Sequence, residues 1–164
     1  MVDVRGMWAY NVGLRHKYLD ALSKLEWEEL VKNREASFHS IRNIFLHMIN
    51  CEDWYLHTVI ASRGGKFLSY DFEKYASIDS MRRKMEEVEA KTRKFLEGLS
   101  EQEFKEPFEY TRPDGTKRSD SVENILVHLV LEETHHRGEL LCLLWQMNIQ
   151  PPHEGWIQYL VRTA

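Results

Sequence analysis

His128-Leu129-Val130-Leu131-Glu132-Glu133-Thr134-His135-His136-Arg137-Gly138-Glu139-Leu140 is the stretch whose reading decides the fold. Its apolar positions recur at helical spacing and continue the stripe Val122, Leu126 and Leu129 into Leu140, Leu143 and Met147. Residues four apart lie above one another on a helix, so His128, Glu132 and His136 share that stripe. A polar patch inside an apolar face costs several kcal/mol unless its groups are satisfied. A divalent metal ion would satisfy them and bring chemistry with it.

Working outward, three more long amphipathic segments appear. The first spans about Met7 to Val31, with Asn11, Leu14, Tyr18, Leu22 and Leu25 on one stripe. The second spans about Phe38 to Ala61, with Ser37 as N-cap and Gly64-Gly65 as its stop. The third follows Ser77 and carries Ile78, Met81, Met85, Val88, Thr92, Phe95 and Leu99 in a heptad-like alternation, with Gly98 near its end. The segment quoted first starts after Ser119 or Ser121 and runs to about Asn148, where Pro151-Pro152 forbids continuation.

Two connections are long. Residues 62–76 hold Tyr70, Phe72 and Tyr75, which suggests a loop packed across the helices. Residues 100–118 hold the alternating Phe108-Glu109-Tyr110-Thr111, the turn signal Pro113-Asp114-Gly115, and Thr116-Lys117-Arg118, which predicts a short β-hairpin or extended turn. A short C-terminal helix is expected from about Glu154 to Val161. The expected fold is all-α: one domain over 1–164, a four-helix bundle with long crossovers, whose core is a common place for metal sites.

Bulk composition narrows the function. Apolar residues make up 43% and charged residues 29% of the 164, as in an ordinary globular domain. A net charge of −4 argues against nucleic acid, which needs a basic face. No apolar run approaches the roughly 18 residues of a membrane span, and the N-terminus lacks the pattern of a signal peptide, so a cytoplasmic location is expected. Cys51 and Cys142 fall in apolar helical patterns and are expected as buried free thiols, although Cys51 stands only four residues after His47.

His47 shares a face with Ile44, Cys51 and Trp54. A lone histidine on such a face is more often a satisfied core residue than a ligand. Paired with Glu132 and His136 it completes a set of two imidazoles and one carboxylate, which leaves coordination positions open for water or substrate. His128 competes with His136 as partner to Glu132. His135 points about one hundred degrees away from His136, which suits a supporting or interface role. Glu52 could hold the second nitrogen of a ligand histidine, or be a solvated charge. Arg137 pairs with Glu133 most simply at the surface, and Glu133 could otherwise serve as an acid or base. Trp8, Tyr10, Trp54, Tyr55 and Trp156 line a pocket or fill the core.

At these residues the chain resembles the DinB-like family of metal-binding four-helix bundles, which includes bacillithiol transferases. The resemblance rests on Trp8-Ala9-Tyr10-Asn11, on His47-Met48-Ile49-Asn50-Cys51-Glu52-Asp53-Trp54, on Tyr110 to Gly115, and most specifically on Thr134 to Leu140. It implies one divalent metal ion held by three histidines, at positions matching His47, 132 and 136. Position 132 departs from that pattern, because glutamate stands where the family has histidine. A carboxylate is a competent ligand and leaves zinc, nickel, iron and manganese all open. The resemblance further implies a metal-dependent enzyme that transfers a low-molecular-weight thiol to an electrophilic small-molecule substrate, and a homodimer. Hydrolysis by a metal-activated water, or a non-catalytic stress-response protein with a degenerate site, are the competing readings.

Overall fold

The computed structural model describes residues 3–62, 71–112 and 114–163. Helix α1 spans Val4–Leu22 and α2 spans Trp27–Val31. Helix α3, Ile41–Trp54, continues through a wide π-turn at Tyr55–Val59 into the short α4, Ile60–Ser62. A 3-10 turn at Phe72–Lys74 precedes α5, Ile78–Glu97, and α6, Glu101–Lys105. Strands β1, Phe108–Thr111, and β2, Lys117–Asp120, form an antiparallel hairpin in which Tyr110 pairs with Arg118. Then come α7, Val122–Gln146, and α8, Trp156–Thr163. Helices α1, α3, α5 and α7 make the bundle, with α7 packed on α1 and α3, and α5 on the same pair. None of the described helices is long and apolar enough to cross a membrane.

Local chemistry explains where these helices start. Asp3, Ser40, Ser77, Ser100 and Ser121 each accept a hydrogen bond from a backbone N–H in the first turn that follows. Each such cap contributes about 1 kcal/mol.

Several boundaries differ from the sequence pattern. The segment expected as one helix over 7–31 breaks after Leu22. There Lys24 and Leu25 make tight i→i+3 bonds and the Ser23 hydroxyl donates to the carbonyl of Asp20, which satisfies the end of α1. Beyond the break, Leu30 is fully buried, with Leu25 and Trp27 packed on the same cluster. Burial of these side chains outweighs continuation of the helix. The second long helix starts at Ile41 behind Ser40, not at Phe38 behind Ser37. Glu35 and His39 hold left-handed backbone there, with φ of 56° and 68°, which no helix accommodates. The stop expected at Gly64-Gly65 lies outside the described residues, as does Tyr70. Phe72 and Tyr75 do pack on the core. Helix α6 was not expected, although its Ser100–Glu103 capping box is legible in the chain.

Among the described residues two large apolar clusters fill the bundle, and a small third one of Trp54, Val59 and Tyr110 lies under the hairpin. One holds Leu19, Leu22, Phe45, Met81, Met85 and Leu144. The other holds Trp8, Val12, Leu56, Phe104, Leu126 and Leu129. Between them along the helices lies a buried polar belt of Asn11, Arg15, Glu52, Glu133 and Arg137. Arg15 ion-pairs with Glu52 and, at 2.6 Å, with Glu133. Arg137 reaches Glu133 at 3.0 Å and Asn11 at 2.9 Å. Arg137 is therefore not a surface partner of Glu133. Burial opposes the Arg15 charge, but the two carboxylates win and raise its pKa above the ordinary value.

Candidate metal centre

The candidate centre lies on the facing sides of α3 and α7. Glu132 Oε1 stands between two imidazoles, 3.2 Å from His136 Nε2 and 3.6 Å from His47 Nε2. The rings of His47 and His136 meet edge to face, with centroids 4.7 Å apart. Phe38 stacks on His47 at 3.8 Å and meets the His136 ring edge to face, so the imidazoles share one apolar wall. All three residues proposed from the sequence are thus in one place.

The structure adds two residues to them. Cys51 Sγ lies 3.3 Å from His47 Nε2, and donor atoms of His47, Cys51 and Glu132 all fall within 4.8 Å of one another. Glu139 Oε2 lies 2.6 Å from His136 Nδ1 and also accepts from the Ser37 hydroxyl at 2.7 Å. Ser37 thus serves this carboxylate rather than a helix N-terminus. The sequence carried a signal for Glu139: it stands three residues after His136, on the same helix face.

Protonation gives this geometry its meaning. Burial works against ionisation of Glu139, but hydrogen bonds from His136 and Ser37 hold its pKa below the ordinary carboxylate value. An ionised carboxylate only accepts, so His136 Nδ1 must donate to it. The other ring nitrogen, Nε2, faces Glu132 Oε1 at 3.2 Å. Burial likewise opposes the charge on Glu132, while His136 and then His47 lower its pKa. Burial and then His136 push the His47 pKa down. Burial and then Glu132 push the Cys51 thiol up to about 12. Two imidazole nitrogens, the Glu132 carboxylate and the Cys51 sulfur thus lie close together, and no lysine or arginine among the described residues pairs with Glu132.

That arrangement fits a divalent ion. Bond lengths of about 2.0–2.3 Å at tetrahedral angles put neighbouring donor atoms about 3.3–3.6 Å apart. The contacts of 3.2, 3.3 and 3.6 Å lie close to that spacing, but the group whose donor atoms all lie within 4.8 Å of one another is His47, Cys51 and Glu132, and His136 stands outside it, in contact with Glu132. His135, His136 and Glu139 form a second group with ligand-like spacing, but His135 is exposed and the hydrogen bond from His136 to Glu139 accounts for that contact without an ion.

Other residues singled out by the sequence lie elsewhere. Glu52 does not support a histidine; it is fully buried and bound to Arg15. Glu133 is locked between Arg15 and Arg137 and cannot act at the centre. His128 is exposed and meets the Tyr55 ring edge to face. Cys142 is exposed on α7 rather than buried, and Cys51 is partly buried; both are free thiols. Trp8 is core, whereas Tyr10 packs on Trp156 and Tyr159 of α8.

A cavity of about 300 Å³ opens beside the centre, with Cys51 and Glu132 on one side and Trp54, Tyr55 and His128 among its other walls. Tyr55 opens the π-turn. Such turns add a residue to a helix and often occur at functional sites.

Fold and centre together define a four-helix bundle with possible metal-ligand groups between its second and last long helices. The chain belongs to the DinB family, whose sequence profile matches residues 1–159. A crystal structure of a DinB-like protein from Bacillus cereus ATCC 10987 is similar, with a TM-score of 0.72 and 18% sequence identity over 93% of this chain and 95% of that one. At that identity the likeness establishes a common fold. No curated protein matches the chain.

Proposed function

We propose that the chain is a divalent-metal-dependent enzyme that joins a low-molecular-weight thiol to an electrophilic small molecule. His47, Glu132 and His136 hold the metal, with Cys51 as a further donor. The observation that carries this reading is the Glu132 carboxylate standing between two imidazole nitrogens, 3.2 and 3.6 Å away. When bound, a divalent ion supplies Lewis acidity that keeps a thiol deprotonated at neutral pH.

The remaining work falls to the chain. Glu139 fixes the tautomer and orientation of His136, as the outer partner of a ligand histidine commonly does. Phe38 covers the imidazoles, keeps water from them and holds their planes. Trp54 and Tyr55 offer apolar walls against which an electrophile can lie beside Cys51 and Glu132. In net, the thiol sulfur forms a bond to carbon, the leaving group departs with its bonding electrons, and the thiol proton passes to water. A sulfur donor beside two imidazoles softens the centre and favours zinc or nickel over manganese.

Elemental analysis of protein purified without a metal-affinity tag tests this reading. The expected result is close to one divalent ion per chain, lost in His136→Ala and Glu132→Ala while the helical circular dichroism stays unchanged. Cobalt-loaded protein should show thiolate-to-cobalt absorption that disappears in Cys51→Ser. No metal in the wild type, even after reconstitution with zinc, nickel, manganese and iron, overturns the proposal and favours a non-catalytic role.

A further inference from the structure

Among the described residues, the cavity beside the metal centre has one sulfur in its wall. Cys51 lines it together with Glu132, Trp54 and Tyr55. Its Sγ lies 3.3 Å from His47 Nε2, and it belongs with His47 and Glu132 to a group whose donor atoms fall within 4.8 Å of one another. The same side chain can therefore bind an ion and meet a molecule that enters the cavity. Cys142 is the contrasting case. It is exposed on α7 and belongs to no group of possible ligands among the described residues. The rest of the wall selects what can reach Cys51. Trp54 and Tyr55, whose rings meet edge to face at 4.5 Å, give flat apolar surface. Arg112 and Asp114 share the wall and their opposite charges are coupled, so neither sign prevails there.

A cysteine that binds a divalent ion does so as thiolate, and the thiolate is the form of cysteine that attacks carbon. We propose that Cys51 is itself an acceptor for electrophiles, a site of covalent modification whose substrate class is the uncharged, flat conjugated carbonyl. In net, the S–H of Cys51 adds across the C=C bond. Sulfur bonds to the β-carbon, the π electrons move to the α-carbon, and that carbon takes a proton from water in place of the one the thiol gave up. Nothing leaves and nothing is oxidised. The product is a thioether, which carries no charge, so its hold on the ion weakens. Each chain takes up one electrophile, and its centre loosens as it does so. The proposal rests on the reading of the centre as a metal site and needs no free thiol.

N-ethylmaleimide is the probe, applied to Cys142→Ser protein so that Cys51 is the one cysteine left. Peptide mass spectrometry follows its modification with and without bound zinc, in the absence of any other thiol. The zinc-loaded protein should take up one equivalent at Cys51 at least about tenfold faster than the metal-free protein, because thiolate replaces thiol. In cobalt-loaded protein the thiolate-to-cobalt absorption should fade in step with the adduct. An equal or slower rate with zinc overturns the proposal. So does an adduct that leaves the cobalt absorption unchanged, because the modified sulfur would then not be the one on the ion. Elemental analysis of the same samples keeps the two readings apart. Bound zinc without faster modification removes Cys51 as an acceptor and leaves the metal site standing, whereas no bound zinc removes the metal site and this proposal with it.

Discussion

Two polar clusters interrupt the bundle interior, and they are built on opposite principles. In the belt of Arg15, Glu52, Glu133 and Arg137, two guanidiniums face two carboxylates, so the charges cancel within the chain. Around Glu132, one carboxylate, two imidazole nitrogens and a thiol face one another, and the chain supplies no fixed positive charge. The first cluster is complete as folded. The second is complete only with an added cation or an added proton. A buried polar group in a helical core thus announces function when its neighbours share its electronic character, and architecture when they oppose it.

The largest effect should come from breaking the complete cluster. Arg15→Met leaves Glu52 and Glu133 buried with Arg137 as the remaining cation. Removing one partner of such a buried pair costs about 3–5 kcal/mol. Urea denaturation of the metal-free protein should show that loss, while the variant, where folded, still binds zinc. A loss below about 1 kcal/mol, within the range of an exposed ion pair, would erase the distinction between the clusters.

A smaller effect should come from loosening the incomplete cluster at its edge. Glu139→Gln removes the charge that orients His136, so zinc affinity should fall about 10- to 100-fold. Competition with a chelator of known affinity measures it. Stability of the metal-free variant should change far less than in Arg15→Met. Unchanged affinity would mean that the contact between His136 and Glu139 is incidental to metal binding.

The difference between the clusters also shows what the chain reveals when read as a sequence. Helical periodicity on α5 and α7 and the cap at Ser77 were legible because they are local, whereas the chain reads equally well with Ser37 in the capping place that Ser40 holds. The pairing of His47 with Glu132 and His136 was legible because three polar groups broke two apolar stripes. Glu52, Glu133 and Arg137 broke stripes just as visibly, yet their roles depend on Arg15, a residue of α1 that looks like any surface arginine until the helices pack. Cys51 carried a hint in its spacing from His47, but whether its sulfur turns toward the ring is a question of rotamer. The break after Leu22 had no proline or glycine to mark it, because burial of Leu25, Trp27 and Leu30 decides it, and burial is not local.

Protons separate the clusters a last time, by the smallest effect. Arg15, with its pKa raised by Glu133 and Glu52, does not titrate near neutrality. His47 does, and its folded pKa is lowered from 6.5. The unfolded chain then takes up the proton more readily than the folded one. Stability is therefore fully present above 6.5 and declines as pH falls from there toward the depressed folded value. His57, also lowered by burial, adds to the same window. Glu132 and Glu139 act lower down, because stability from their lowered pKa values is lost only as pH falls below 4.5. Denaturation of metal-free protein across this range should thus weaken in two stages, and His47→Gln should shrink the first alone. Zinc at saturation should carry the His47 contribution further down in pH, since the ion and the proton compete for the same nitrogen. If His47→Gln left the first stage intact, His47 would not be the buried neutral imidazole that a ligand at this centre has to be.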